Sequence, residues 1–506
     1  MAAIFHPSDF TKPFRWLIIS LCFKILFYFL FISVDHNPVR IFSGCFLQSS
    51  DHEEYVRPMD NFYERGIYAL DGKDEPYAGR LPGFVFPYML FRAVFSEHTS
   101  NILLGIFILS LSVLASYVFG LLMFRLTQKR WAFIAAFFLI NCIPYFWQYD
   151  WTLHTNSLAV SSTIFFLYYL YQFETDRRNS ALLKAGFFLA WVALLRGFCL
   201  VFIPVACIYL FFVLFRSKNN FTGILKKGVI FLFPFLLFES AWIIRNYISL
   251  HEVIPFQTSF VPGSNSKNPE YSTGMVTKYS LMKVRKLIYA WGGNNTWYYT
   301  NSDMAWFVKA NDPLVANFKF DEKIFCEGFT ADSLKKLKSS ILYSFSANLN
   351  KKSQDSIEAV IETTADRYYA TFVKNNKSYF YFRAPINRLK NYILRNPAQD
   401  WPGPSFKDSD VFRKGLKLLS VFEYGILLLC IALFPLALLI KKNIAHKGFF
   451  IFIYALVLAN IVPFITIINF SHHSYFIFGY CLLIPLLIIL TDSFLPKEKN
   501  GQTRSA

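Results

Sequence analysis

The stretch WVALLRGFCLVFIP, residues 191–204, sets an arginine inside an apolar run of some thirty residues from Gly186 to Phe215. About 20 apolar residues cross a hydrocarbon core as helix, so this run is too long for one ordinary span. It reads as two short spans that meet at Arg196 and Gly197, with the guanidinium at a membrane boundary and turned toward the bundle. Lipid cannot solvate such a charge, so Arg196 is a functional candidate; the plainer alternative is an arginine snorkelling at a helix end. The rest of the chain repeats the pattern. Of its 506 residues, 54% are hydrophobic, 19% aromatic and only 17% charged, whereas soluble domains carry nearer a quarter charged residues. Apolar runs recur near 16–34, 101–124, 131–149, 154–173, 182–196, 198–215, 226–245, 416–440, 448–468 and 474–495. The fold class is therefore an all-α polytopic membrane protein with about ten spans. The first run, Trp16 to Val34, is too long and too rich in Phe for a signal-peptide core and reads as a retained helix.

The net charge of +18 would suit nucleic acid, but its placement argues for topology. Basic residues gather in short loops: Arg125, Lys129 and Arg130; Arg177, Arg178 and Lys184; Arg216, Lys218, Lys226 and Lys227; Lys441, Lys442 and Lys447. Lys12 and Arg15 precede the first span, and Lys497, Lys499 and Arg504 follow the last. Short Lys- and Arg-rich loops stay cytoplasmic, which puts both termini inside and excludes a nucleic-acid partner. The chain then divides into a membrane module over 1–247 with a first outer loop at 35–83, an outer segment at 248–413, and closing helices with a tail at 414–506. Cys45 and Cys326 both fall outside the membrane, and no spacing pattern pairs them. Within the outer segment, SIEAVIETTADRYYATFVKN (356–375) has the period of an amphipathic helix. The following SYFYFRAPINRLKNYILRNP (378–397) interleaves aromatic and basic residues, as suits a helix at headgroup level.

Two outer stretches carry chemistry. QSSDHEEYVRPMD (48–60) places Asp51, His52, Glu53 and Glu54 soon after the first span, and YAGRLPGFVFPYMLF (77–91) places Arg80 where the first outer loop returns to the membrane. Pro82 and Gly83, followed by apolar residues, suggest a short interfacial helix. Arginine presents a planar fork of donors that matches phosphate oxygens, and a nearby carboxylate can serve as base.

In this order the motifs resemble the GT-C superfamily of integral-membrane glycosyltransferases, in particular lipid A aminoarabinose transferases, protein O-mannosyltransferases and related bacterial enzymes. DHEEYVRPMDNFYERGIY (51–68) is similar to the family's Asp-x-x-x-Tyr element, and ALLRGFCLVFIP (193–204) to its Leu-Leu-(Arg/Lys)-(Pro/Gly) element. SAWIIRNYISLHEVIPF (240–256) resembles its Pro-Trp-x-x-Arg-Asn-Tyr stretch, with Ala241 in place of Pro, and HSYFIFGYCLLIPLLIIL (473–490) its final span. The resemblance implies an inverting transferase that moves a sugar from a polyprenyl-phosphate-linked donor to a glycan, glycolipid or protein acceptor at the outer face of a membrane. It implies Asp51 as catalytic base and Arg80 and Arg196 as holders of the lipid phosphate, with no cofactor and no metal. Glu54 and Tyr55 would shape the loop. Where relatives carry a second acid, this chain has Asn156, with Asp150 nearby to supply charge; where relatives show Arg or Lys before the final span, it has His472 and His473. Arg245 reads as an interface anchor. Low Gly and Ala with abundant Phe, Lys and Asn suggests an AT-rich genome, and the absence of recognisable eukaryotic retention signals leans bacterial, which would place the chain in an inner (plasma) membrane with the site facing outward. The rival reading is a lipid-linked polysaccharide polymerase, ligase or transporter, but the charges lie at the outer edge and no internal repeat is visible.

Overall fold

A computed structural model describes residues 13–34, 42–49, 51–70, 76–251, 253–256, 279–293, 303–308, 318–345, 349–394, 411–440, 446–465 and 476–494. The chain begins with α1 (Pro13–Val34), two short strands β1 (Phe42–Ser43) and β2 (Phe46–Gln48), α2 (His52–Arg65) and α3 (Val85–Arg92). Then come α4 (Glu97–Thr127), α5 (Arg130–Cys142), α6 (Pro144–Asp150), β3 (Thr152–Leu153), α7 (Thr155–Asp176), α8 (Asn179–Leu195), α9 (Phe202–Arg216) and α10 (Phe221–Leu250). The segment beyond α10 contributes α11 (Tyr279–Ala290), α12 (Asp303–Val308), α13 (Ala331–Ser344), α14 (Lys351–Asn375) and α15 (Ala384–Leu394). Three helices close the chain: α16 (Val411–Ile440), α17 (Lys447–Pro463) and α18 (Ile477–Phe494).

The protein is an all-α polytopic membrane protein. Among the described residues, six helices are long and apolar enough to cross a membrane, namely α1, α4, the 197–216 helix that contains α9, α10, α16 and α18. The helices α5, α8 and α17 are apolar but shorter. The fourth expected span is α7, whose polar residues Asn156, Ser157, Ser161, Ser162 and Thr163 are all buried in the bundle. A helix enclosed by others need not be apolar all round, because lipid never meets its surface. Within the described residues each expected span thus coincides with a helix, with one difference. The run 131–149 is broken at Ile143 into α5 and α6, because Pro144 lacks the amide that would continue α5 and instead opens α6.

Lipid tails are as apolar as leucine, so close packing rather than water exclusion holds such helices together. Gly186 on α8 shows this: a Cβ there would collide with the backbone carbonyl of Phe231 on α10. Rings fill the space elsewhere, with Trp16 of α1 edge-on to Phe133 and Phe137 of α5 at centroid distances of 4.7 and 5.1 Å.

A second, separate core lies among α11–α14, built from Val284, Leu287, Leu337, Ile341, Ile361 and Tyr368. The amphipathic helix expected over 356–375 is α14. Cys45 and Cys326 are both free thiols. We call the side of the bundle that carries β1–β3, α2, α3 and this second core the loop side.

Candidate active site

Backbone pairing builds the site before any side chain does. Strand β2 pairs parallel with β3, Leu47 opposite Thr152 and Gln48 opposite Leu153, and the Ser49 hydroxyl donates to the Leu153 carbonyl at 3.0 Å. The chain entering α2 at Asp51 and the chain entering α7 at Asn156 therefore leave from one place. A second stitch ties the Arg80 loop to the end of α8. The Gly83 amide donates to the Leu194 carbonyl at 3.1 Å, and Trp191 Nε1 donates to the Gly83 carbonyl at 2.9 Å. Only glycine fits there, since a Cβ would lie 2.5 Å from the Leu194 carbonyl carbon. Helix α8 then stops at Arg196, whose extended backbone (φ −144°, ψ 99°) turns the chain into α9. The two short spans meet at Arg196 as the sequence indicated.

Around these stitches the charged groups fall into two sets. In the first, Arg80 donates from Nε to Glu54 Oε2 at 2.9 Å and from Nη2 to the same oxygen. Its Nη2 also lies 3.4 Å from Asp51 Oδ2, and its guanidinium sits over the Tyr55 ring at 4.9 Å. Burial works against the Arg80 charge, but Tyr55, Asp51, Glu54 and Tyr77 outweigh it and push its pKa well above the usual value. The two carboxylates differ in access. The Glu54 side chain is 5% exposed, whereas that of Asp51, at the start of α2, is 35% exposed. Glu53 points to solvent. Tyr77 is buried, and among the described residues its hydroxyl has no hydrogen-bond partner. Burial pushes that hydroxyl's pKa up against the pull of Arg80, so it remains a donor.

In the second set, Arg196 Nη2 donates to Asn156 Oδ1 and lies 3.2 Å from His154 Nδ1. Arg196 and Asn156 are both buried, and among the described residues the Asn156 side-chain Nδ2 has no hydrogen-bond partner, whereas its backbone N–H does. His154 was not singled out from the sequence. Its place is set by its ring nitrogen, which accepts from the Asn156 amide at 3.2 Å and caps α7.

Two other residues stand differently from expectation. Asp150 does not offer its charge to this site. Lys24, from the middle of α1, donates to Asp150 Oδ2 at 2.5 Å, Ser157 donates to Oδ1 at 2.6 Å, and both ionic side chains are almost wholly buried. An intramembrane carboxylate requires such a counter-charge, which is why the residue is drawn inward. Arg245 is more than an interface anchor: it donates to the Tyr77 carbonyl at 2.7 Å and the Tyr68 carbonyl at 3.2 Å, and its guanidinium lies 4.5 Å from the Tyr68 ring centroid. It grips the loop that leads to Arg80. His473 lies outside the described residues, as does His472.

An apolar cavity of about 600 Å³ opens beside the Gly83–Leu194 stitch, and none of the charged groups of either set is part of its wall. It reaches Pro82 and Gly83, next to the Arg80 loop, and Leu194, two residues before Arg196; Phe86, Phe187, Trp191 and Phe238 supply much of its wall. Among the described residues no three His, Cys, Asp or Glu side chains converge as a metal cage.

Comparisons with known proteins bear on the same region. No curated protein matches the sequence. Among solved structures, the chain is similar to the archaeal oligosaccharyltransferase AglB from Archaeoglobus fulgidus in complex with an inhibitory peptide and a dolichol-phosphate, at 13% identity and a TM-score of 0.45. That match covers 96% of this chain and 51% of AglB, so the chain spans about half the length of that protein. It is also similar to ArnT from Cupriavidus metallidurans bound to undecaprenyl phosphate, at 10% identity, a TM-score of 0.36, and coverage of 94% of this chain and 78% of ArnT. Likenesses this remote carry no statement about activity. The sequence comparison is more direct: residues 75–242, which hold Arg80, Asn156, Arg196 and most of the cavity wall, match the family model described as dolichyl-phosphate-mannose-protein mannosyltransferase, and the resemblance to GT-C membrane glycosyltransferases is borne out.

Proposed function

We propose that the protein is an inverting glycosyltransferase that takes a sugar from a polyprenyl-phosphate-linked donor, at a site on the loop side of the membrane. The observation that carries this reading is the Gly83–Leu194 stitch, which ties the Arg80 loop, with Asp51 beside it, to the end of α8 before Arg196, where Pro82, Gly83 and Leu194 help line a large apolar cavity. A polyprenyl chain needs an apolar, aromatic-walled cavity, and its phosphate needs fixed cations at the cavity rim. In this reading residues 1–247 form the catalytic module, 248–413 shape the acceptor side, and 414–506 complete the bundle in a bacterial inner membrane, with the site facing outward.

The chemistry divides between the two charged sets. Asp51 is the more accessible of the two carboxylates beside Arg80, so it takes the proton from the acceptor hydroxyl or amine as that group attacks the anomeric carbon. The new bond forms on one face while the anomeric carbon–oxygen bond breaks on the other, and its electron pair leaves with the lipid phosphate. Arg196, which bonds Asn156 and lies beside His154, receives the developing phosphate charge. Arg80 assists from the other set. Glu54 holds Nε and Nη2, which fixes the guanidinium plane beside Asp51. The Tyr77 hydroxyl and the Asn156 side-chain amide, unpartnered among the described residues, are further donors for donor-sugar or phosphate oxygens.

Binding of polyprenyl phosphate to the purified protein tests the site. A charge-assisted contact contributes about 1.5–3 kcal/mol, so Arg196→Ala and Arg80→Ala should each weaken affinity about ten- to a hundredfold. Unchanged affinity in both would remove the phosphate site.

A further inference from the structure

The segment 376–394 carries four cations, Lys377, Arg383, Arg388 and Lys390, and no acidic residue. It runs through a wide helical turn at Tyr379–Arg383 into α15. One face is anchored inward. Arg388 donates from Nη1 to the Ile465 carbonyl at 3.0 Å and from Nη2 to the Tyr289 carbonyl, and its guanidinium stacks on the Tyr289 ring at 3.6 Å. Tyr289 Oη itself donates to Ile465 at 3.4 Å, and Leu389 packs against the membrane bundle. Ile465 lies just beyond the end of α17, so these contacts hold α15 at the end of that apolar helix.

The opposite face is apolar and open. Tyr381, Phe382 and Ile386 are 61%, 67% and 62% exposed. Phe382 and Ile386 are four residues apart and share one helical face, flanked by the exposed cations Arg383 and Lys390. Helix α17 carries an exposed apolar stripe of its own, Ile451, Leu458 and Val462, which runs toward Ile465. The open face of α15 is thus held next to a helix with an open apolar stripe, and its rim has the charge that anionic headgroups attract.

We propose that residues 379–390 lie in the headgroup layer of the adjacent leaflet, with Phe382 and Ile386 among the upper acyl chains and Arg383 and Lys390 on anionic lipid phosphates. The segment thereby docks the core formed by α11–α14 onto the bilayer as well as onto the bundle. This assignment does not depend on the glycosyltransferase reading.

The test uses the full chain in vesicles, with bimane attached at Phe382→Cys or Ile386→Cys and the labelling of the unsubstituted protein subtracted. Lys335→Cys, on the exposed face of α13, is the control. Lipids brominated near the carbonyl end should quench the probes at 382 and 386 and iodide should not, while the control should show the reverse. In vesicles of phosphatidylethanolamine with phosphatidylglycerol, adding Arg383→Glu and Lys390→Glu should lose most of the bromolipid quenching. Iodide quenching equal to the control would mean that the face meets water, and shielding from both quenchers would mean that protein, such as a second copy of the chain, covers it. Either result overturns the proposal, and quenching unaffected by the charge reversal overturns its headgroup contacts.

Discussion

Replacing Lys24 with methionine isolates what the buried ion pair contributes. Methionine keeps an unbranched chain of similar length and removes only the ammonium. Asp150, 3% exposed, would keep Ser157 as a donor but lose its counter-charge, and Ser112 would lose the 2.9 Å contact it accepts from Lys24. Stranding one member of a buried pair costs about 3–5 kcal/mol, whereas replacing both members by apolar groups is often close to neutral. Lys24→Met alone should therefore lower the unfolding free energy by that amount, and Lys24→Met with Asp150→Leu should recover most of it. The assay is equilibrium unfolding in mixed detergent micelles with increasing dodecyl sulfate, followed by tryptophan fluorescence. Trp151 is a local reporter, because its Nε1 donates to the Lys24 carbonyl at 2.9 Å. A double variant as unstable as the sum of the two single ones would show that the pair is not coupled. An Asp150→Asn variant that lost turnover at full stability would return Asp150 to the substrate site.

Two shorter tests address the scaffold of the site. Burial lowers the His52 pKa to about 4 from 6.5, against the raising effect of its bond to Asn101. The unfolded chain then binds a proton that the native state refuses, so stability should fall as pH drops from about 6.5 toward 4, by at most about 3 kcal/mol. His52→Gln should flatten that limb of the pH–stability curve, and an unchanged slope would exclude His52 as its source. Arg245→Lys leaves one point charge to serve two carbonyls and loses the stack on Tyr68. Each released hydrogen bond is worth about 1 kcal/mol, so donor KM should rise about tenfold through the freed Arg80 loop; unchanged kinetics would restore Arg245 to a mere anchor.

How far the sequence foretold this molecule depends on the range of the interaction concerned. The spans were legible because hydrocarbon thickness acts on every residue of a run, and the kink at Arg196 followed from the same length argument. Pro144 signalled the α5–α6 break, but an apolar run hides a one-residue interruption. Strands of two or three residues have no readable period, so the β2–β3 pairing that joins Asp51 to Asn156 was invisible. Lys24 could have been found: a lysine amid SLCFKILFYF (20–29) requires a partner inside the membrane. That the partner is Asp150 depends on a contact 126 residues away in sequence. Arg245 was visible as a residue but not as a clamp, since its acceptors are backbone carbonyls of another loop. The Asp51–Glu54–Arg80 cluster has the opposite character. Asp51 and Glu54 lie one turn apart at the start of α2, and only the return of the chain at Arg80 comes from the fold.

The most direct measurement of the central claim is release of polyprenyl phosphate from defined polyprenyl-phosphate sugars by the purified protein and its Asp51→Asn variant. The substitution keeps shape and removes the charge from a partly exposed side chain that adds little to stability. Losing a general base costs about a hundred- to ten-thousandfold in rate, so Asp51→Asn should be well folded, should bind polyprenyl phosphate and should scarcely turn over. Glu54→Gln, which weakens the hold on Arg80, should lose donor affinity and retain more of its turnover at saturation. Full turnover by Asp51→Asn, together with an inactive Glu54→Gln, would contradict the account by moving the base to the buried acid.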